Sequence, residues 1–520
     1  MHAVQNADVV IKGGTIYTGE DAAPFVGDVE VHGDRIVYVG PARQLKAKRV
    51  IDARGLIVTP GLIDAHGHPD TYIRSNDSRQ RLNAPWLTQG VSSIVIGVDG
   101  FGTPEVRHDI EALVASRIGT NVIPFVGFGA VRSRVIGNAS RAPTEVELNR
   151  MKTLVFNGMC EGATGLSTGL FYAPQSFARA DEVIALAKEV ARLGGLYDTH
   201  QRDESNYTIG VLDSVREALQ IGREAGLPVH FAHLKALGVD VHGQAPAIIA
   251  LIDEARTTGM EVTADQYPWL ASGTSLEAAL IPRWAFDGGR EALLVRLDTP
   301  ALLQRIRSEM RENLRRRGGA GSLLLTGNGR SWSGRTLEDV AQKWKLAPID
   351  AAIRIVRDDG LRTDATVEPQ VRENGSRVAS FNMIEADVEA IMRQPWVITG
   401  SDGSDGHPRQ YATFPEKYAV YVRQRRVIDL VGFVRRSSGL AADIYKLDRR
   451  GYLRPGYFAD VLVFDPGTYA PKADYLHPRM LSTGVRALLV NGELAVLDGH
   501  VTGAAAGRGL LRTPPEGVCP

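Results

Sequence analysis

Two cysteines in 520 residues, Cys160 and Cys519, are too few for a disulfide framework, which makes a reducing compartment the expectation. No apolar run approaches the roughly 20 residues that span a bilayer. The N-terminus lacks the basic-then-apolar pattern of a secretory leader, since Ala7 to Lys12 already reads as a strand. Charge of one sign is missing as well. The 60 basic and 60 acidic side chains cancel, so the composition points to neither a nucleic-acid nor a membrane partner. Together these absences predict a cytoplasmic protein.

What is present is apolar bulk and glycine. Hydrophobic residues make up 44% and glycines number 55, enough for a large core and many tight strand-to-helix turns. The first sixty residues alternate short strand-like runs with Gly and Asp turns: Asp8 to Lys12, Val29 to His32, Arg35 to Val39 and Arg49 to Asp52. The same style returns in Ala459 to Phe464 and in Ala487 to Val496, whose Asn491-Gly492 pair signals a hairpin. Residues 1–58 and 449–520 are therefore expected to combine into one small β-sandwich, with 59–448 as the domain inserted between them.

That middle stretch alternates strand-like runs with amphipathic helical ones. The candidate strands are Leu62 to His66, Val91 to Asp99, Asn121 to Gly129, Ala163 to Leu170, Gly195 to His200, Pro228 to His233, Glu261 to Tyr267 and Trp396 to Asp402. Helical stretches include Glu105 to Arg117, Thr144 to Met159, Asp181 to Leu193 and Gln244 to Ala255. Eight such units predict an α/β fold, a (β/α)8 TIM barrel, with its chemistry at the C-terminal ends of the strands. Between the seventh and eighth strands the chain runs from Pro268 to Pro395, too long for an ordinary connection. Residues 275–375 read as a lid-like insertion carrying a helix near Thr299 to Arg317, and the Arg315-Arg316-Arg317 run reads as a solvated helix face.

Polar residues fall where the barrel wants them. In His66-Gly-His68 alternate strand residues point one way, so both imidazoles can meet one metal ion. Asp99, His200, His233 and Asp402 end the second, fifth, sixth and eighth strands. Four imidazoles and two carboxylates at one rim have the ligand character of a zinc site, or of two metals sharing a bridge. His230, at an odd offset from His233, is expected to face the helices and serve packing.

With these residues in hand, the chain resembles the amidohydrolase superfamily and, within it, the N-acyl-D-amino-acid deacylases or D-aminoacylases. The resemblance covers nearly the whole length. It is carried by Pro60-Gly-Leu-Ile-Asp-Ala-His-Gly-His68, Glu161-Gly-Ala-Thr-Gly-Leu-Ser-Thr-Gly-Leu170, Tyr197-Asp-Thr-His-Gln-Arg-Asp-Glu204, His233-Leu-Lys235, Asp265-Gln-Tyr-Pro268, Gly400-Ser-Asp-Gly403, His407-Pro-Arg409 and Thr413-Phe-Pro415. It implies zinc-dependent hydrolysis of N-acyl-D-amino acids, with one or two ions. His200 and His233 would hold the tightly bound ion, and His66, His68 and Asp402 would surround a second position. Some relatives carry a cysteine where Asp99 stands; a carboxylate also ligates or bridges zinc. Cys160, near a helix end before the fourth strand, does not replace that thiolate and is expected to be a small buried hydrophobe. Phe128 stands where relatives commonly have histidine, and the link from Asp402 to His407 is shorter than in familiar members.

Zinc acidifies water and polarises the acyl carbonyl, and Asp402 is the expected base, taking the proton and returning it to the leaving amine. Arg409 offers a planar fork and Lys235 a cation for the free carboxylate of the substrate, roles the resemblance also implies. Tyr267 is expected to donate a hydrogen bond to substrate, the resemblance implies that Met383 lines the side-chain pocket, and Arg202 and Glu204 are expected to form a supporting ion pair or to brace the ligands from outside without touching substrate. The alternatives are another amide hydrolase, such as a hydantoinase, a dihydroorotase-like enzyme or an isoaspartyl dipeptidase, or a non-catalytic scaffold with the same fold. Members of the former group often use a carboxylated lysine after the fourth strand, and Leu166 to Tyr172 offers none.

Overall fold

The computed structural model describes residues 7–43, 46–360 and 375–519. Residues 1–6, 44–45 and 520 of the expected sheet domain, and 361–374 of the expected insertion, lie outside the described residues.

Parallel strands ring the centre. Leu62–Asp64, Val91–Ile96 and Asn121–Pro124 pair in order, and Val126–Gly127, Gly165–Gly169, Leu196–His200, Val229–Phe231, Val262–Gln266 and Val397–Thr399 continue the series. The third strand is broken only at Phe125, so eight strands complete the circuit. The ring closes where Ala65 N–H donates to the Thr399 carbonyl and His68 N–H to that of Gly403. Ile63, Val95, Ile123, Phe125, Leu196 and Ile398 fill the interior. Helices cover the outside because their sequences present one apolar stripe. In Val211–Ala225 the buried positions Val211, Val215, Ala218, Leu219 and Gly222 recur at helical spacing, and Gly226 ends the helix at φ 75°. Glu145–Cys160 starts on a capping box in which Thr144 and Glu147 satisfy each other's backbone amides.

The two chain ends meet in one nine-stranded sheet. Ile57–Pro60 lies antiparallel to Val461–Phe464, joining Ala7–Ile16, Phe25–His32, Arg35–Gly40 and Ala47–Asp52 to Val485–Val490, Glu493–Leu497 and His500–Val501. The expected sandwich is thus a single sheet that curls over its own core. Ile36 N–H donates to Tyr457 and Ala459 N–H to Asp34, which brings the edge strand back across Val29, Val31, Val461 and Leu489. Asn491 and Gly492 make the hairpin turn, both at positive φ.

Between the seventh and eighth strands, Ala271–Ser275, Leu323–Leu325, Arg335–Thr336 and Arg377–Phe381 form an antiparallel sheet. With the helices Pro300–Arg316, Leu337–Trp344 and Pro348–Gly360 it encloses a separate apolar core that includes Leu280, Ile306, Met310 and Ile355. Its strand Ala271–Ser275 sits against the barrel rim, because the Ala271 carbonyl accepts from His407 Nε2 at 3.0 Å. Among the described residues no helix is long and apolar enough to cross a membrane.

The cysteines correct an expectation. Cys160 and Cys519 form a disulfide across 359 residues, so Cys160 is not a free hydrophobe, and the scarcity of thiols is no argument for a reducing compartment. The reason is the path of the C-terminal tail. Gly507 N–H donates to Ile118, Leu510 N–H to Val122 and Arg512 N–H to Gly162, carrying the tail along the barrel to the end of the helix that holds Cys160. Closing so long a loop constrains the unfolded chain by about 2–5 kcal/mol. Denatured without reductant, the protein should show no free thiol, and reduction should expose two and lower the melting temperature. A thiol titration with paired thermal melts checks this, and two free thiols without reductant would refute it.

Candidate metal centre

The sequence-predicted ligands converge on Asp99. His66 Nε2 is 3.4 Å from Asp99 Oδ1, and His68 Nε2 is 3.4 Å from both Asp99 Oδ2 and Asp402 Oδ1. From the other side His200 Nδ1 and His233 Nε2 each stand 3.5 Å from Asp99 Oδ1. Two groups result, His66, His68, Asp99 and Asp402 on one hand and Asp99, His200 and His233 on the other, each able to aim its donor atoms at one ion.

Local backbone makes this possible. Asp99, His233 and Asp402 sit just past their strands at φ 55°, 36° and 46°, a region L-residues seldom occupy and one that folds tolerate chiefly at functional sites. The Asp99 turn is held from the fourth strand, where Ser167 Oγ accepts from Gly100 N–H, and by Gln175, whose Nε2 donates to the Asp99 carbonyl at 2.8 Å. A side chain at Gly100 would strike Gln175, which explains the glycine. Asp402 is fixed by its own N–H, donating 2.7 Å to the His66 carbonyl.

Burial alone would neutralise these carboxyls, but their neighbours prevail. The His66, His200 and His233 imidazoles hold Asp99 well below the usual carboxylate range against burial. Asp402 is held low against the same penalty by Arg409, whose Nη1 lies 2.7 Å away, and by His233. Burial is likewise outweighed at His68, which Asp402 and Asp99 push up to about 9, while burial keeps His200 low. Both ring nitrogens of His66 and of His200, and Asp99 Oδ1, are buried with no hydrogen-bond partner. Orphaned imidazole nitrogens around a shared carboxylate oxygen are the donor set that zinc takes, so the residues fit the metal.

Two groups from the sequence motifs support the ligands. Asp64, buried two residues before His66, accepts from His66 N–H at 3.3 Å, Ser401 N–H at 2.7 Å, Trp86 Nε1 at 2.6 Å and the Ser401 hydroxyl. It thereby ties the His66 strand end to the Asp402 turn; burial pushes it up to about 6 in spite of these bonds. Its spacing from His66 was the available signal. Glu204 pairs with Lys235 and stands 3.2 Å from His233 Nδ1.

A narrow cavity opens beside the cluster, walled by Tyr172, His200, Lys235, Tyr267 and Asp402, with Ser272 to Thr274 of the insertion over it. The Tyr267 hydroxyl is buried without a hydrogen-bond partner. Four expectations are corrected. Arg202 pairs with Glu217 and not with Glu204. Met383 is not among the residues of the cavity wall, because its side chain packs into an aromatic cluster with Tyr267, Trp269 and Tyr411. His230 faces the barrel interior, level with Asp198, and contacts Asp265 at 3.2 Å and Tyr445. Strand alternation fails to relate it to His233 because the strand stops at Phe231 and the chain then turns through positive φ. Arg317, read as part of a solvated run, is buried in the cavity wall.

With this geometry in place, comparison with known proteins is specific. A family model described as the amidohydrolase family matches residues 49–496. An N-acyl-D-aspartate deacylase of Alcaligenes xylosoxydans xylosoxydans is 32% identical over 96% of this chain and 94% of its own length. A D-aminoacylase of the same organism is 30% identical over 98% of both chains. The crystal structure of an N-acyl-D-glutamate deacylase from Bordetella bronchiseptica, complexed with zinc and a phosphonate mimic of the tetrahedral intermediate, superposes with a TM-score of 0.80 at 29% identity, covering 98% of this chain and all of that one.

Removing the Asp64 carboxylate should loosen both metal-bearing turns. Asp64→Ala is expected to cost about 2–3 kcal/mol, since hydrogen bonds to a buried charged group are lost, and to lower bound zinc, whereas Asp64→Asn retains part of both. Thermal melts and elemental analysis read the two effects; an alanine variant with full metal content and unchanged stability would refute the tie.

Proposed function

The chain belongs to the amidohydrolase family, and we propose that it hydrolyses the amide bond of N-acyl-D-amino acids, releasing a carboxylate and a free D-amino acid. One or two zinc ions would be held by His66, His68, Asp99, His200, His233 and Asp402. The observation that carries the reading is the pair of histidine clusters sharing Asp99 beside a cavity that also receives Asp402, Lys235 and Tyr267. The handedness of the substrate is taken from the two full-length relatives.

Zinc, when bound, supplies Lewis acidity that polarises the acyl carbonyl and acidifies water. Asp402 takes the proton of the attacking water and hands it to the amide nitrogen as that nitrogen leaves. Arg409 keeps the carboxylate ionised and aimed before the reaction, and its charge makes the protonated form short-lived, which favours return of the proton. The free carboxylate of the substrate is received by Lys235, Arg409 and Tyr267. Both cations are already paired, Lys235 with Glu204 and Arg409 with Asp402, so the substrate joins a balanced network and no bare charge waits for it. Tyr267, whose hydroxyl has no partner, gains a hydrogen bond that it otherwise lacks. Glu204 orients Lys235 and His233 together. A scaffold that had lost its chemistry would have no reason to keep orphaned buried nitrogens, which cost stability when unpaired.

The test is a chiral panel of N-acetyl amino acids with and without zinc. D-enantiomers should be turned over, chelation should abolish turnover, and readdition should restore it. Asp402→Ala should lower kcat by about 10²–10⁴-fold with zinc still present in elemental analysis. Arg409→Ala should raise KM more than it lowers kcat. Hydrolysis that survives exhaustive chelation, or normal kcat in Asp402→Ala, would overturn the proposal.

A further inference from the structure

Asp402 and Arg409, whose Nη1 lies 2.7 Å from the base, are joined by a link, Gly403 to Pro408, that lies outside every helix and strand and contains two glycines. Part of it is tied to the insertion. The Ser404 hydroxyl accepts from Arg377 Nη2 and, at 3.4 Å, from Arg409 Nη2. His407 Nε2 donates to the Ala271 carbonyl, and its Nδ1 accepts from Arg409 N–H at 3.1 Å.

Asp405, in the middle of the link, is held from the sheet domain. Arg479 donates to both of its oxygens, Nε to Oδ1 at 2.9 Å and Nη2 to Oδ2 at 2.6 Å, a two-pronged contact that fixes direction as well as distance. Arg479 belongs to the loop 471–482, which leaves the nine-stranded sheet between Val461–Phe464 and Val485–Val490. Ala470 and Thr483 pinch the base of this loop with backbone hydrogen bonds of 3.3 and 3.1 Å. Asp474 stiffens its tip by accepting from Leu476 N–H at 2.8 Å and His477 N–H at 2.6 Å. Closed at its ends and bonded within, the loop moves as one body. Ser482 Oγ fastens it to the helix that begins at Arg409, donating to the Tyr411 carbonyl at 2.7 Å.

Tyr475 makes the second contact. Its ring centre lies 5.1 Å from that of His407, 5.9 Å from Trp269 and 4.6 Å from Phe381. These three belong to the link, to the segment after the seventh strand and to the end of the insertion strand Arg377–Phe381. One side chain of the sheet domain thus touches each part that meets beside Arg409.

Stability does not account for the ion pair. The Arg479 side chain is 42% exposed, and exposed pairs contribute little to folding. Position does account for it, because moving a reacting group by about 1 Å costs up to about 100-fold in rate.

We propose that Arg479 and Tyr475 are positioning residues, which hold the link from the sheet domain so that Asp402 stays aimed at the attacking water and Arg409 at the substrate carboxylate. The proposal rests on the deacylase reading of Asp402 and Arg409 and adds a part for the sheet domain in the same reaction.

The zinc-loaded, full-length enzyme tests it on the N-acetyl-D-amino acid that the chiral panel shows to be turned over best. Arg479→Ala should lower kcat/KM about tenfold or more, through both kcat and KM, since the link bears the base and the clamp together. Zinc content should not change, and the melting temperature should stay within about 2 °C. Arg479→Lys, which keeps the charge and loses the fork, should recover part of the loss, and Tyr475→Ala should lower kcat/KM in the same way. On an Arg409→Ala background the further loss from Arg479→Ala should shrink to about threefold or less, because a residue that acts through another loses its effect when that other is gone. Calorimetry with the free D-amino acid product, which needs no turnover, should show severalfold weaker binding in Arg479→Ala. Full kcat/KM in Arg479→Ala overturns the positioning role and leaves the deacylase reading intact. So does the same loss with and without Arg409, or a loss that follows zinc content or melting temperature, each of which places the loop in the framework only. Absence of turnover on every D-substrate by the unmodified enzyme overturns the deacylase reading and the positioning role with it.

Discussion

Asp99 is the carboxylate that four imidazoles share, and the organisation of the rim follows from that sharing. His66, His68, His200 and His233 come from three strands and would repel one another if protonated around an empty centre. One anion within 3.5 Å of each turns them into two adjacent donor groups. The arrangement has a conformational cost. Asp99 holds a left-handed backbone, a class of strain worth about 1–3 kcal/mol, and the structure offsets it with hydrogen bonds from Gln175 and to Ser167 around flanking glycines. Asp99 Oδ1 lies near His66, His200 and His233 and Oδ2 near His68, so one carboxylate serves both groups.

Around that centre the molecule divides its labour. The barrel strands fix the ligand atoms to a rigid ring, and the Asp64 carboxylate locks the first strand to the last where the ring closes. The insertion, with an apolar core of its own, supplies the roof strand and Arg317 of the cavity wall. The metal-facing groups and the cavity roof thus come from separate pieces of the chain, joined at Ala271 to Ser275 and at the bonds from His407 and Arg409 to that strand.

Much of this was legible in the sequence, and the exceptions have two causes. His66, His68, Asp99, His200, His233 and Asp402 could be read because strand ends in a parallel barrel converge by topology. Lys235 and Tyr267 were legible from motif position and reach the cavity wall. What failed were inferences that extended a local rule past the end of its element. Strand alternation misplaces His230 because the residues between it and His233 have left the strand, and the solvated character of the helix misplaces Arg317 because the helix ends one residue before it. The pairing of Cys160 with Cys519, and of Arg202 with Glu217 in place of Glu204, depends on contacts between distant segments, which composition and spacing do not encode.

The sheet built from both chain ends sets a schedule for biosynthesis. The strand Ile57–Pro60 is fully buried in the finished protein, and its partner Val461–Phe464 is made roughly 400 residues later, a delay of some tens of seconds at ordinary ribosomal speed. During that interval an apolar edge stands open while the barrel assembles. Whatever shelters that edge in the meantime must give way to Val461–Phe464 when the far end of the chain arrives.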